Sequence, residues 1–275
     1  MTDVDIANLS LSYIAGKPIV AIDATTPQGK AISKWFAPTR DEVLAAHSWN
    51  FASKRARLTT TWLAIAGVAN NGSGLIRITY TGHGLSTGQR VTIKDVQGVG
   101  NANGTFYVTV IDANTFDLQL STFAGTWTSS TGSWVLVPLF DWAYQFTLPS
   151  DLIRVNKING LGGNEEDSTP HEIEGGIIMC DEDELDLTYV YQHTTYSTWP
   201  QYFINAFAFL LASNIAQELS GPAGKALELR KNYEAAISPQ AKGRDSRQTK
   251  NRRLLPVWDS QLVQSRWGFL NNSNL

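Results

Sequence analysis

Four histidines, one cysteine and two carboxylate clusters are the residues from which this 275-residue chain would have to build a catalytic site. His47, His83, His171 and His193 are scattered, without a metal-ligand spacing such as HExxH. His47 falls on the apolar side of a helical pattern and reads as a packed or capping residue. Cys180 stands alone, which excludes an intramolecular disulfide framework and a cysteine-rich zinc site. Carboxylates gather at Glu165-Glu166-Asp167 and at Asp181–Glu184. Such pairs can cleave a glycosidic bond, but a solvated loop and an acidic turn account for them with fewer assumptions. The second run lacks the spaced ligands of a calcium loop. Gly72-Ser73-Gly74 and Gly160–Gly163 do not lead from a strand into a helix, as phosphate cradles do. The expectation is a protein that is not an enzyme, with no catalytic residues, no metal ligands and no cofactor.

Cations are more suggestive. Lys242, Arg244, Arg247, Lys250, Arg252 and Arg253 stand together with only Asp245 against them, in a chain of net charge −3. That overall charge argues against a nucleic-acid binder held by bulk attraction. The local run suits an acidic protein surface or phosphates, and phosphate binding would be strongly salt-dependent. Trp258 and Trp267 follow it and have the character of anchors that fill pockets. A second basic group, Lys54, Arg55 and Arg57, lies within Trp49–Leu58, which reads as an extended strand. Arg154 is expected to pair locally with Asp151 or Asp141.

The elements that must position these groups centre on Tyr202–Leu219. Its apolar residues run almost all the way round a helical wheel, with Phe203, Phe207, Leu210 and Leu211 on one side. A helix apolar on every side is surrounded by protein or lipid. The dense apolar run spans about a dozen residues where a bilayer needs roughly 20, so a buried core helix is expected and no membrane association. A second helix over Ala223–Ile237, with Ala226, Leu227, Tyr233 and Ile237 on one face, follows the stop signal Gly221-Pro222. Near the start, residues 3–12 suit a short helix with Ile6 and Leu9 inward. Thr26-Pro27 opens another helix, in which Pro38 predicts a kink or two helices in sequence.

Residues 60–136 differ in character, being rich in Gly, Thr, Ser and Asn. Strands are expected at Leu75–Tyr80, Arg90–Val96, Thr105–Ile111 and Thr115–Leu120, with Phe106 in their core. Further strands fit Asp141–Thr147 and Leu152–Ile158, and Gly176–Cys180 with Leu185–Tyr191 reads as a hairpin. The fold class expected is α+β: a helix bundle packed beside an antiparallel β-subdomain, with a small all-β, barrel-like domain inserted in a loop. Residues 1–59 and 137–241 would form the discontinuous core, 60–136 the insert and 242–275 a basic, aromatic C-terminal arm. Trp49, Phe51, Phe203, Phe207, Leu210 and Leu211 are the expected core anchors. The N-terminus has neither the basic start nor the apolar run of a signal peptide.

With residues 60–136 set aside, WNFASKRARL joins VPLFDWAYQFTLPSDLIRV. The joined string resembles the tail tubular protein A family, the head–tail adaptors of short-tailed bacteriophages. The resemblance rests on Trp49, Phe51, Ala52, Arg55, Leu58, Trp142, Tyr144, Leu148, Pro149, Asp151, Arg154 and Val155, with Tyr189 and Tyr191 in order after them. The stretch GHGLSTGQRVTIKDVQGVGNANGTFYVTVIDANTFDLQL is similar to a small β-module of phage structural proteins, described as like the FCCH domain of ubiquitin-activating enzymes; the likeness is one of shape. The resemblance implies a ring homo-oligomer of twelve copies at the head–tail junction of a virion, assembled in the bacterial host cytoplasm. Its partners would be the portal protein and a nozzle similar to tail tubular protein B, with DNA passing through the lumen without sequence-specific binding. The cations and Trp258 and Trp267 of the arm would then contact the portal or a neighbouring copy. The rival expectations are a carbohydrate- or receptor-binding tail component using the β-insert, and a cell-wall hydrolase.

Overall fold

A computed structural model describes residues 1–23, 25–159, 169–216, 218–219 and 223–237. The basic run from Lys242 to Arg253, Trp258, Trp267, the Glu165-Glu166-Asp167 cluster and the Gly221-Pro222 stop lie outside the described residues. The described residues combine four α-helices with antiparallel sheets. It divides into two compact units, residues 1–36 with 197–275, and residues 37–196.

The first unit is helical. Helix α1 (Asp3–Ser12) starts on a reciprocal cap: Thr2 Oγ1 accepts from the Asp5 N–H at 3.1 Å, and Asp5 Oδ2 accepts from the Thr2 N–H at 2.8 Å. Its buried face is Ile6, Ala7, Ser10 and Leu11. Helix α2 (Pro27–Ala45), whose residues from Ala37 onward belong to the second unit, is capped by Thr26, whose hydroxyl accepts from the Gly29 N–H at 3.0 Å. It runs unbroken through Pro38 rather than splitting into two helices. Lys34 and Pro38 are both exposed, so the hydrogen bond that proline removes lies on the outward side of the helix.

Helix α3 (Gln201–Ala216) buries eleven of its sixteen residues, on all sides of the helix. Phe203, Phe207, Leu210 and Leu211 are fully buried. Phe207 meets Phe36 edge-on at 4.9 Å and Trp199 at 5.3 Å, and Tyr13 stacks on Phe209 at 4.8 Å. Helices α1 and α4 (Ala223–Ala236) both pack on α3. The face of α4 differs from the expected one. Leu229 is buried with Ala226 and Tyr233, whereas Leu227 is 59% exposed. Ser213 fits beneath this face and donates to the Ala226 carbonyl at 2.9 Å.

The second unit holds all thirteen described strands. Trp49–Leu58 is not one extended strand. Asn50–Ala52 form a 3₁₀ turn, and β1 (Ser53–Thr59) begins after it. The indole of Trp49, fully buried, donates to the Val43 carbonyl at 2.8 Å; Phe51 is half-buried. Next come β2 (Leu63–Ala64), β3 (Gly67–Asn70), β4 (Ile76–Thr79), β5 (Arg90–Lys94), β6 (Gly104–Asp112), β7 (Thr115–Leu118) and β8 (Ser133–Val137). They make one seven-stranded antiparallel sheet in the order β2-β8-β5-β6-β7-β4-β3.

This sheet curls at β6, which pairs with β5 through residues 104–107 and with β7 through 108–112. The concave side encloses Ile76, Ile78, Val91, Val108, Phe116 and Trp134, all at most 2% exposed; Phe106 is half-buried and packs against them. Outside this core, Arg77 clamps Asp117 through two bonds of 2.6 and 3.0 Å, and Asn71 adds a third at 2.9 Å. Two loops cross at Gly98 and Gly125, where a Cβ on either would come within about 2 Å of a carbonyl oxygen, so only glycine fits.

The remaining strands are β9 (Tyr144–Thr147), β10 (Leu152–Ile158), β11 (His171–Glu174), β12 (Ile177–Cys180) and β13 (Glu184–Tyr191). They form two three-stranded sheets, β1-β13-β10 and β11-β12-β9. The expected hairpin of Gly176–Cys180 with Leu185–Tyr191 is therefore absent. β12 is central in one sheet and β13 in the other, so both edges of each are already hydrogen-bonded. Residues 181–183 carry the chain between sheets instead of turning it back.

Candidate interaction surfaces

Alternation along each strand sends successive side chains to opposite faces. On the inner faces, Ile158, Leu185, Leu187 and Tyr189 of one sheet join Phe146, Ile178 and Cys180 of the other in a single buried core. The two sheets thus share one core and turn their alternate residues outward. Cys180 belongs to this core: it is fully buried, and its thiol reaches the Glu182 carbonyl at 3.3 Å. Burial pushes its pKa up, opposed in part by the hydrogen bond to the Glu182 carbonyl. A thiol reagent should therefore leave Cys180 untouched at neutral pH and label it only at the unfolding rate; immediate labelling of native protein would contradict this packing.

One end of the core is closed by polar groups that the sequence separates widely. Lys54 Nζ lies 2.6 Å from Asp151 Oδ2 and 4.1 Å from the Tyr191 ring centroid, and the Tyr189 hydroxyl donates to Asp151 Oδ1 at 3.0 Å. The Lys54 hydrogen bond holds the Asp151 carboxyl below the usual carboxylate range, and burial followed by Asp151 pushes Tyr189 up. Arg154 does not pair with Asp151 or Asp141. Lys54 and Tyr189 already take both Asp151 oxygens, and Arg154 donates to the Ala45 carbonyl at 3.3 Å.

A group whose folded pKa is depressed adds stability above its unfolded pKa, and that stability is lost as pH falls through the folded value. Lys54 and Asp151 side chains are 46% and 34% exposed, so screening keeps the effect small. Asp151→Asn should cost about 1 kcal/mol at pH 7. The difference from wild type should shrink as pH falls through the depressed Asp151 value, where its carboxyl takes up a proton. Denaturant titrations from pH 7 downward into acid measure this; a difference that stays undiminished to the acid end of the folded range would rule out the charged pair as its source.

The outer face of the β1-β13-β10 sheet is basic. Arg55, Thr188 and Lys157 lie in one cross-strand row and line a cleft of about 480 Å³. Arg57, in the next row, is bound by Asp186 at 2.8 and 3.1 Å, with Glu184 at 3.9 Å. Its hydrogen bond lowers the Asp186 pKa. Arg55 and Lys157 form no ion pair among the described residues.

The outer face of the β11-β12-β9 sheet is acidic and apolar. Glu172 stands opposite Met179, and Glu174 opposite Ile177. The segment 138–142 folds along these residues, turning sharply where Trp142 N–H donates to the Phe140 carbonyl at 2.8 Å and Asp141 takes φ 64°. A groove of about 350 Å³ results, walled by Leu139, Phe140 and Trp142. Leu139 is 49% and Phe140 66% exposed. The Trp142 indole donates to Glu172 at 3.1 Å. Glu172, Glu174 and Asp141 form no ion pair among the described residues.

Each of the four histidines has a neighbour among the described residues. His83 Nδ1 accepts from the Leu85 N–H at 3.0 Å, so its other nitrogen donates to the Asp112 carbonyl at 2.8 Å. His171 bonds the Thr169 carbonyl at 2.8 Å, His47 meets Trp49 edge-on, and His193 stacks on Tyr191 at 5.0 Å. Burial, with Lys54 second, holds His193 below the ordinary histidine range. Among the described residues no three His, Cys, Asp or Glu side chains can share a metal ion. No described helix is long and apolar enough to cross a membrane.

Of the residues singled out in the sequence, Lys54, Arg55 and Arg57 come together on one strand, and Asp151 joins Lys54. The acidic groove is not among the expected sites. Its sequence signals are the alternation Glu172-Ile173-Glu174 and the apolar Pro138-Leu139-Phe140 outside any strand. No protein-family model matches the chain, and no curated protein matches it in sequence.

Proposed function

We propose that this chain is a structural adaptor of a short-tailed phage that forms a ring between portal and tail nozzle, with a lumen for the genome. Supporting this is the meeting of the two halves of the adaptor-like string, Trp49–Leu58 and Leu148–Val155. They are separated in sequence by the seven-stranded sheet, yet Lys54 binds Asp151 at 2.6 Å and both strands pair with β13, which supplies Tyr189. Of the residues that carry the resemblance to tail tubular protein A, Asp151 and Tyr189 meet in three dimensions as well as following in order.

In this reading the helices form a bundle beside the paired three-stranded sheets, and residues 60–136 are a module spliced into the loop that follows β1. The ring is made of twelve copies of the chain and binds portal protein on one side and the nozzle on the other. The protein acts by geometry, as a spacer with matched ends, and not by bond-making chemistry. Lys242 to Arg253, with Trp258 and Trp267, serve as the grip on the portal or on a neighbouring copy. Limited proteolysis of the full chain tests that grip: cleavage near Arg252 should slow at least tenfold once portal is bound. Equal cleavage in both states would remove the arm from the interface.

A further inference from the structure

The basic cleft and the acidic groove lie on the outer faces of two sheets that share one core, so they look away from each other within the same compact unit. We propose that the cleft of one copy receives the groove of the next, joining copies front to back. Arg55 and Lys157 would then meet Glu172 and Glu174, while Leu139 and Phe140 supply the apolar surface of the contact. The chemistry is complementary in both respects. Two unpaired cations face two unpaired carboxylates. Leu139 and Phe140, 49% and 66% exposed, form a compact apolar spot beside the acids, as interface centres do. Because the two patches differ and lie on opposite sides, the contact is heterologous. A heterologous contact repeats from copy to copy and closes into a ring when its rotation allows. The inference rests on the ring reading above and assigns the surfaces that make the ring.

Charge exchange tests it on the full-length chain, with circular dichroism confirming each variant as folded. Self-association is measured by sedimentation, alone and with portal present. Arg55→Glu/Lys157→Glu has two acidic faces, and Glu172→Lys/Glu174→Lys has two basic ones. Each alone should associate at least tenfold more weakly than wild type. An equimolar mixture should regain assembly, because the two variants alternate around the ring. Phe140→Ser, which alters no charge, should also weaken association.

Failure of the mixture to recover would overturn the inference. So would loss confined to the lysine variant, which would place the chain's own basic arm in the groove. Loss of duplex DNA binding by the glutamate variant with self-association intact would assign the cleft to phosphates and overturn it equally. A recovered mixture that ignores portal would uphold the interface and overturn the adaptor reading. Wild type that binds portal while the mixture fails to recover would do the reverse. Wild type that stays monomeric both alone and with portal would overturn both.

Discussion

Phe207→Asp should abolish folding. Phe207 is fully buried in α3, with Phe36 edge-on to it at 4.9 Å and Trp199 at 5.3 Å. Substitution by aspartate removes the ring and its packing, which alone costs about 3–5 kcal/mol on large-to-small replacement. It also leaves a carboxyl in an apolar site without a partner, adding several kcal/mol or forcing the group to protonate. Total stabilities of about 5–15 kcal/mol leave little margin for both losses. The variant should be insoluble or lack the thermal transition of the wild type. A soluble variant with wild-type melting would show that the helical core is centred elsewhere. Phe207→Ala serves as the graded control and should lower stability by about 3–5 kcal/mol in denaturant.

The second large effect is expected at Phe116→Ala. Phe116 sits on the concave side of the seven-stranded sheet, where it meets Trp134 at 5.6 Å and His83 at 5.3 Å. It is fully buried, and the two partners come from separate parts of the chain, so neither can easily collapse into the space left. A loss of about 3–5 kcal/mol is expected. Trp134 fluorescence should shift to longer wavelength as water reaches its ring, and the denaturation midpoint should fall accordingly. A change below about 1 kcal/mol would mean that the sheet repacks freely and that the cluster is no single core.

The helices were legible because their signals are local. Thr26-Pro27 states a start, and the all-round apolar character of Phe203 to Ile215 states burial without any knowledge of partners. Even so, the inward face of α4 keeps the expected Ala226 and Tyr233 but takes Leu229 in place of Leu227. Leu227 and Leu229 are equally apolar, and only the presence of α3 decides which one is covered. The strands β4 to β7 were legible by their β-branched residues and intervening turns. The short β2 and β3 and the exposed β11 bury too few side chains to leave a periodic trace.

Pairing was the least legible property. Ile177–Cys180 and Leu185–Tyr191 are neighbours in sequence with a turn-like acidic segment between them, which favours a hairpin locally. The hairpin is outcompeted because β9 and β11 flank β12, while β1 and β10 flank β13. Those partners come from as far away as Ser53, and no window of sequence contains them. The candidate surfaces share this origin. Arg55 signals its exposure by alternation within β1, but its neighbour Lys157 enters the same cleft only through the bulged register of β10 on β13. The groove likewise depends on segment 138–142 lying along a sheet whose acidic strand begins some 30 residues later.

Native mass measurement of the full-length chain mixed with portal protein tests the central claim most directly. The adaptor account predicts a discrete closed oligomer, about 360 kDa for twelve copies of the 30.2 kDa chain, bound stoichiometrically to the portal. A chain that remains at 30.2 kDa and leaves the portal's mass unchanged would contradict it.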